Sequence, residues 1–130
     1  MTFDFKGKVA LITGGESGIG ASIAEELARL GCNIIITYFT NHKLAEEILV
    51  QLNKSGLKNL IINCDVRDEN SVINLFDQAR NTLGKIDFLI NSAGIRSYDK
   101  PLTKLSFSEF KNTVETNLFG VFLCSKYFIN

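Results

Sequence analysis

The 130 residues suffice for one domain with a buried core, and 45% hydrophobic against 22% charged residues is the balance of a soluble globular protein. Lysine plus arginine equal aspartate plus glutamate at 14 each, and no basic cluster occurs, which sets nucleic acid and anionic membrane aside as partners. No apolar run approaches a membrane span, Met1-Thr2-Phe3-Asp4-Phe5-Lys6 is not a signal peptide, and Cys32, Cys64 and Cys124 lack Cys-x-x-Cys spacing, so reduced thiols in a cytoplasmic protein are expected.

Strand and helix patterns alternate along the chain. Residues 8–13, centred on Val9-Ala10-Leu11-Ile12, read as a first strand. Residues 18–30 read as a helix with Ile19, Ile23, Leu27 and Leu30 on one face. Ala24 and Ala28 permit close packing there, and Gly31 is the stop. Residues 33–38, around Ile34-Ile35-Ile36, are a second, buried strand. Asn41 caps a helix that buries Leu44, Ile48 and Leu52 and ends at Gly56. Residues 59–64 are a third strand. Asp68 then caps a helix with Val72, Leu75, Phe76, Ala79 and Leu83 on one face, ending at Gly84. Residues 86–91 are a fourth strand. A loop holding Pro101 leads to Ser106-Phe107-Ser108-Glu109, whose capping-box spacing opens one last long helix reaching Asn130.

The strands are uninterrupted apolar runs, which fits a parallel sheet covered on both faces. Right-handed crossovers then give an α/β, doubly wound parallel sheet in the order 3-2-1-4. The direction of winding reverses between the first and fourth strands, so a crevice lies beyond their carboxyl ends. Two glycine-bearing turns face it, one starting at Thr13-Gly14 and the other being Asn91-Ser92-Ala93-Gly94. In Thr13-Gly14-Gly15-Glu16-Ser17-Gly18-Ile19-Gly20 the glycines let backbone N–H groups and the positive end of a helix approach a phosphate. A nucleotide is therefore the expected ligand. The lone His42 has no second ligand nearby, and the cysteines read as structural, so no metal site is expected.

These motifs together resemble the classical short-chain dehydrogenase/reductase family, over the whole chain. Residues 13–20 look like its Thr-Gly-x-x-x-Gly-x-Gly cofactor motif. Asn91-Ser92-Ala93-Gly94 looks like its Asn-Asn-Ala-Gly motif, with Ser as the second residue. Asn117, in Glu115-Thr116-Asn117-Leu118-Phe119-Gly120, looks like the Asn of its catalytic tetrad, and Asp65-Val66 also matches. Tyr38-Phe39-Thr40-Asn41, with the opening Phe5-Lys6-Gly7-Lys8-Val9, is similar to the glucose dehydrogenase and 3-oxoacyl-carrier-protein reductase branches.

The resemblance implies a Rossmann-type fold, with residues 1–130 as the N-terminal part of an NAD(P)-binding domain. It implies that Gly14, Ser17, Ile19 and Gly20 contact the cofactor pyrophosphate, with Gly18 in the same motif. Asp65 and Val66 would hold the adenine, Asn91, Ala93 and Gly94 would border the adjoining ribose, and Tyr38 would lie in the window that distinguishes the cofactors. Thr13 would brace the two turns. For Asp65 the alternative is a solvated strand-end carboxylate. For Asn117 it is a polar residue that bends or locally rearranges a buried helix.

An acid some 20 residues past the glycines would bind the ribose 2′-hydroxyl and select NAD. That window holds Tyr38, Phe39 and Thr40, none acidic, while Thr37, Thr40, Asn41 and Lys43 offer polar groups. The pattern tilts toward NADP, or toward accepting NAD as well. In this family a Tyr-x-x-x-Lys pair moves the proton while a Ser orients the substrate oxygen. Tyr38 is followed four residues on by His42 and Tyr98 by Leu102, and Tyr127 runs out of chain. The expectation is the cofactor-binding part of an oxidoreductase of alcohols, ketones or 3-oxoacyl groups, inactive by itself for want of the Ser and the Tyr-Lys pair. The alternative is a non-catalytic nucleotide-binding or interaction module. The apolar last helix would serve an oligomer, or a complementing C-terminal chain.

Overall fold

Successive side chains of a strand point to opposite faces of its sheet, so an unbroken apolar run needs cover on both sides. The computed structural model, which describes residues 4–96 and 100–130, provides it. Strands β1 (Val9–Thr13), β2 (Asn33–Tyr38), β3 (Leu60–Asn63) and β4 (Phe88–Asn91) pair in parallel in the order β3-β2-β1-β4. Leu11 lies in register with Ile35 and Leu89. Helices α1 (Gly18–Arg29) and α2 (His42–Asn53) cover one face, where Ala10, Ile12, Ile34 and Ile36 meet Ala24, Ala28, Ala45 and Leu52. Helices α3 (Glu69–Leu83) and α5 (Gly120–Ile129) cover the other, where Leu11 and Ile35 meet Val72, Leu75, Phe76 and Cys124.

The third and fourth strands begin later than the apolar pattern suggests, and side chains explain it. Asn59 Oδ1 accepts from the Ile34 N–H at 2.9 Å. The Asp87 carboxylate accepts from the Val9 N–H at 3.0 Å. In each case a side chain occupies a hydrogen-bonding position at the start of the ladder, so strand pairing starts beyond it.

Helix α1 departs from the expected face. Ile19 and Leu30 are exposed, while Gly20, Ala21, Ala24 and Ala28 are buried. Small side chains let the helix axis approach the sheet closely, and the larger Ile23 and Leu27 are left half-buried at the margins. The expected caps form. Asn41 accepts from the Leu44 N–H at 3.1 Å, and Asp68 from the Asn70 and Ser71 N–H groups at 3.3 and 3.1 Å.

The last helix is not continuous. A capping box at Ser106 and Glu109 starts α4 (Phe107–Val114), a π-helical turn follows over Glu115–Phe119, and α5 completes it. Beside Lys100 and the Ser106 backbone, the Glu109 carboxyl is held at about 2. Much of the apolar surface of this helix faces outward, including Phe107, Leu118, Phe122 and Ile129. Cys32, Cys64 and Cys124 are free and buried, and burial pushes the Cys124 thiol up to about 12. Among the described residues no helix is long and apolar enough to cross a membrane.

Candidate functional site

The two turns are tied together by one hydroxyl. Thr13 ends β1 and is 1% exposed, and its Oγ1 accepts from the N–H groups of Ser92 and Ala93, both at 3.1 Å. The other side of the first turn is tied to the end of β2. The Gly14 N–H donates to Thr37 Oγ1 at 3.2 Å, and the Gly15 N–H to the Thr37 carbonyl at 3.1 Å. Three strands thus hold one loop.

Gly14 has φ 61°, and a Cβ there would stand 2.8 Å from Ala93 Cα. Only glycine allows the turns this approach. The N–H groups of Ser17 to Gly20 lead into the N-terminus of α1, where no side chain caps the helix. A Cβ on Gly18 would meet nothing within 4 Å, so the backbone there borders open space.

The space is a cavity of about 460 Å³. Gly14, Ser17, Gly18, Ile19, Tyr38, Asp65, Val66, Ala93 and Gly94 line it, from four different loops. Gly20, Asn91 and Asn117 do not. Gly20 is buried beneath the turn, where a Cβ would come 2.5 Å from the Gly14 carbonyl oxygen. Asn91 turns away and donates through Nδ2 to Ser125 Oγ at 3.3 Å. Asn117 sits in the π turn, accepts from the Ile95 N–H at 2.8 Å and donates to the Ile95 carbonyl at 2.7 Å. It satisfies both backbone groups of the residue after Gly94 and so holds the cavity wall. Tyr98 lies outside the described residues.

Two charged lining residues escaped the sequence reading. Arg67 donates from Nε and NH2 to the two oxygens of Asp65, at 2.8 and 2.7 Å, and from NH1 to Asn112 Oδ1. Its guanidinium carbon stands 5.2 Å from the centre of the Phe39 ring. Its position two residues past Asp65 was the available signal. Asp65 is therefore ion-paired, not simply solvated. Glu16, inside the glycine motif, also lines the cavity, and its Oε2 is buried with no hydrogen-bond partner. No cluster of three or more His, Cys, Asp or Glu that could hold a metal occurs among the described residues.

The Arg67 guanidinium, through its hydrogen bonds, holds the Asp65 carboxyl below the usual aspartate range. Because the folded value is depressed, the pair's contribution to stability is present above the unfolded carboxylate pKa. It is lost as pH falls through the folded value. A carbon-13 titration of the Asp65 carboxyl is expected to show this low value, and Arg67→Gln is expected to move it upward. An unchanged Asp65 titration in the variant would refute the assignment.

The comparisons with known proteins agree with this geometry. The family model described as short chain dehydrogenase matches residues 8–130. The uncharacterized oxidoreductase YhdF of Bacillus subtilis is 37% identical over 121 residues, 93% of this chain and 42% of that protein. A short chain dehydrogenase from Burkholderia cenocepacia, solved in complex with NADP, superposes with a TM-score of 0.92 at 31% identity, covering 98% of this chain and 51% of that one. A short-chain dehydrogenase/reductase from Serratia marcescens gives 0.91 at 29% identity, covering 98% and 51%. The chain spans about half the length of these relatives. With its four-stranded Rossmann-type sheet and paired glycine turns, the chain belongs to the short-chain dehydrogenase family.

Proposed function

We propose that the cavity binds a nicotinamide dinucleotide, and that the chain is the cofactor-holding part of an oxidoreductase acting on an alcohol, ketone or 3-oxoacyl group. The observation that carries this is the junction at Thr13, which fixes two glycine turns on one cavity whose floor at Gly18 is open backbone. Such a floor, at an uncapped helix N-terminus, suits a pyrophosphate. Ser17 to Gly20 would receive it, and Asp65 and Val66 would border the adenine. Ala93 and Gly94 would border the adjoining ribose, with Asn91 behind them. When bound, the nicotinamide accepts or donates a hydride. The residues of this chain bind it, orient it and shield it from water. Asn117 would contribute to catalysis from the π turn, next to Ile95.

No acid stands directly after β2 to repel a 2′-phosphate, and the solved relative that holds NADP supports a dinucleotide of either kind. The outward apolar face of the last helix supports contact with another copy or with a complementing chain.

Titration of the purified chain with NADH and NADPH, followed by cofactor fluorescence, tests the reading. Saturable binding that ADP-ribose competes away is expected. Asp65→Ala should weaken it about tenfold by removing an acceptor at the adenine edge. A folded chain that binds neither dinucleotide would end the proposal.

A further inference from the structure

The window after β2 offered four polar groups for a 2′-phosphate, and three are buried or lie off the cavity. The Thr37 side chain is 1% exposed and accepts from the Gly14 N–H. Asn41 caps α2 through its amide oxygen and does not line the cavity. Lys43 is exposed on the first turn of α2 and does not line the cavity. Of the two threonines of this window that line the cavity, only Thr40 is exposed to it.

The charged residues that line it are Glu16, Asp65 and Arg67. Arg67 is neutralised by Asp65 through two hydrogen bonds, engaged with Asn112 through its third nitrogen, and stacked on Phe39. Its cation is thus occupied. Glu16 has no ion pair among the described residues, and one of its oxygens is a buried acceptor without a donor. An unsatisfied buried acceptor is costly, and a ligand that donates to it recovers that cost on binding.

Glu16 is also in the right place. It follows Gly15, whose N–H is bonded to the Thr37 carbonyl, so the backbone at Glu16 is held against the end of β2. Glu16 and Tyr38, Phe39 and Thr40 line the same cavity. In an open α/β sheet the adenosine ribose sits at this strand end, where an acid accepts from its 2′-hydroxyl.

We propose that Glu16, reaching in from the glycine turn, is the carboxylate that accepts the adenosine ribose hydroxyl and disfavours a 2′-phosphate, so that this cavity selects NAD over NADP. This rests on the dinucleotide reading above. A ribose hydroxyl supplies a donor to a cavity-lining carboxylate that has no protein donor at Oε2. A phosphate supplies only acceptors and a like charge in a partly desolvated pocket, where repulsion is weakly screened.

Calorimetric dissociation constants for NAD+ and NADP+ test it without any turnover. The wild-type chain is expected to bind NAD+ at least about tenfold tighter, since like-charge repulsion and a lost hydrogen bond act together. Glu16→Gln removes the charge at constant size and is expected to bring the two constants within about threefold. Glu16→Ser repeats the test with a shorter uncharged side chain, and Glu16→Lys is expected to reverse the order. Tighter binding of NADP+ by the wild type, or an unmoved ratio in Gln and Ser variants that still bind both, would overturn the assignment to Glu16 alone. Failure of the folded wild type to bind either dinucleotide would overturn the cavity reading and this inference with it.

Discussion

Thr13→Val is expected to destabilise the chain by about 2–4 kcal/mol, although it replaces a fully buried side chain by one of nearly equal shape. The hydroxyl oxygen is the acceptor for two backbone N–H groups, those of Ser92 and Ala93. Valine leaves both donors part-buried and unpaired, and each such donor costs about 1–3 kcal/mol. The two turns would also lose the link that sets their spacing, so dinucleotide binding should fall with stability. Thr13→Ser keeps the oxygen and should restore most of both. Urea denaturation of the three proteins, alongside NADH titration, provides the check. A Val variant as stable as the Ser variant would mean that the turns are held by packing alone.

Gly14→Val should be more damaging still, by more than about 3 kcal/mol, with binding abolished. Two separate penalties act at this residue. The backbone is at φ 61°, where a β-branched side chain is strained, and the new Cβ would lie 2.8 Å from Ala93 Cα and 3.1 Å from Ala93 N. Neither contact is with a flexible side chain, so one turn must move away from the other. Gly7 provides the control, because it has φ 74° and a Cβ there would meet nothing within 4 Å. Gly7→Val carries the conformational penalty alone, about 1–3 kcal/mol. Equal losses at the two positions would show that the approach to Ala93 is not a constraint.

The fold was legible because its signals are local and repeated. Ile34-Ile35-Ile36 and Val9-Ala10-Leu11-Ile12 have no polar side to show water, and Asn41, Asp68 and Ser106 stand at helix starts where their side chains accept backbone N–H groups. Periodicity misjudged α1, because it counts large apolar residues, while the sheet selected the alanine stripe that allows a close approach. It also missed the π turn. An alternative reading of Asn117, as a residue that locally rearranges the helix, anticipated the kind of change. The location and purpose depend on Ile95, which is far away in sequence.

The site divides in the same way. Glycine spacing and the second turn were readable as short motifs, because the conformations they require are properties of a few consecutive residues. Glu16 was passed over because the discriminating acid was sought after β2, the place where chain order puts it. Arg67 gave only a spacing to Asp65. By itself the sequence determined the strand order, the winding of the sheet and the family, since these follow from local apolar runs, caps and turns. Only the tertiary structure decided which polar groups remain open to a ligand. Burial, placement and pairing are set by distant parts of the chain: Thr37 is buried, Asn41 lies off the cavity and Arg67 is paired with Asp65, while Glu16 Oε2 has no protein donor.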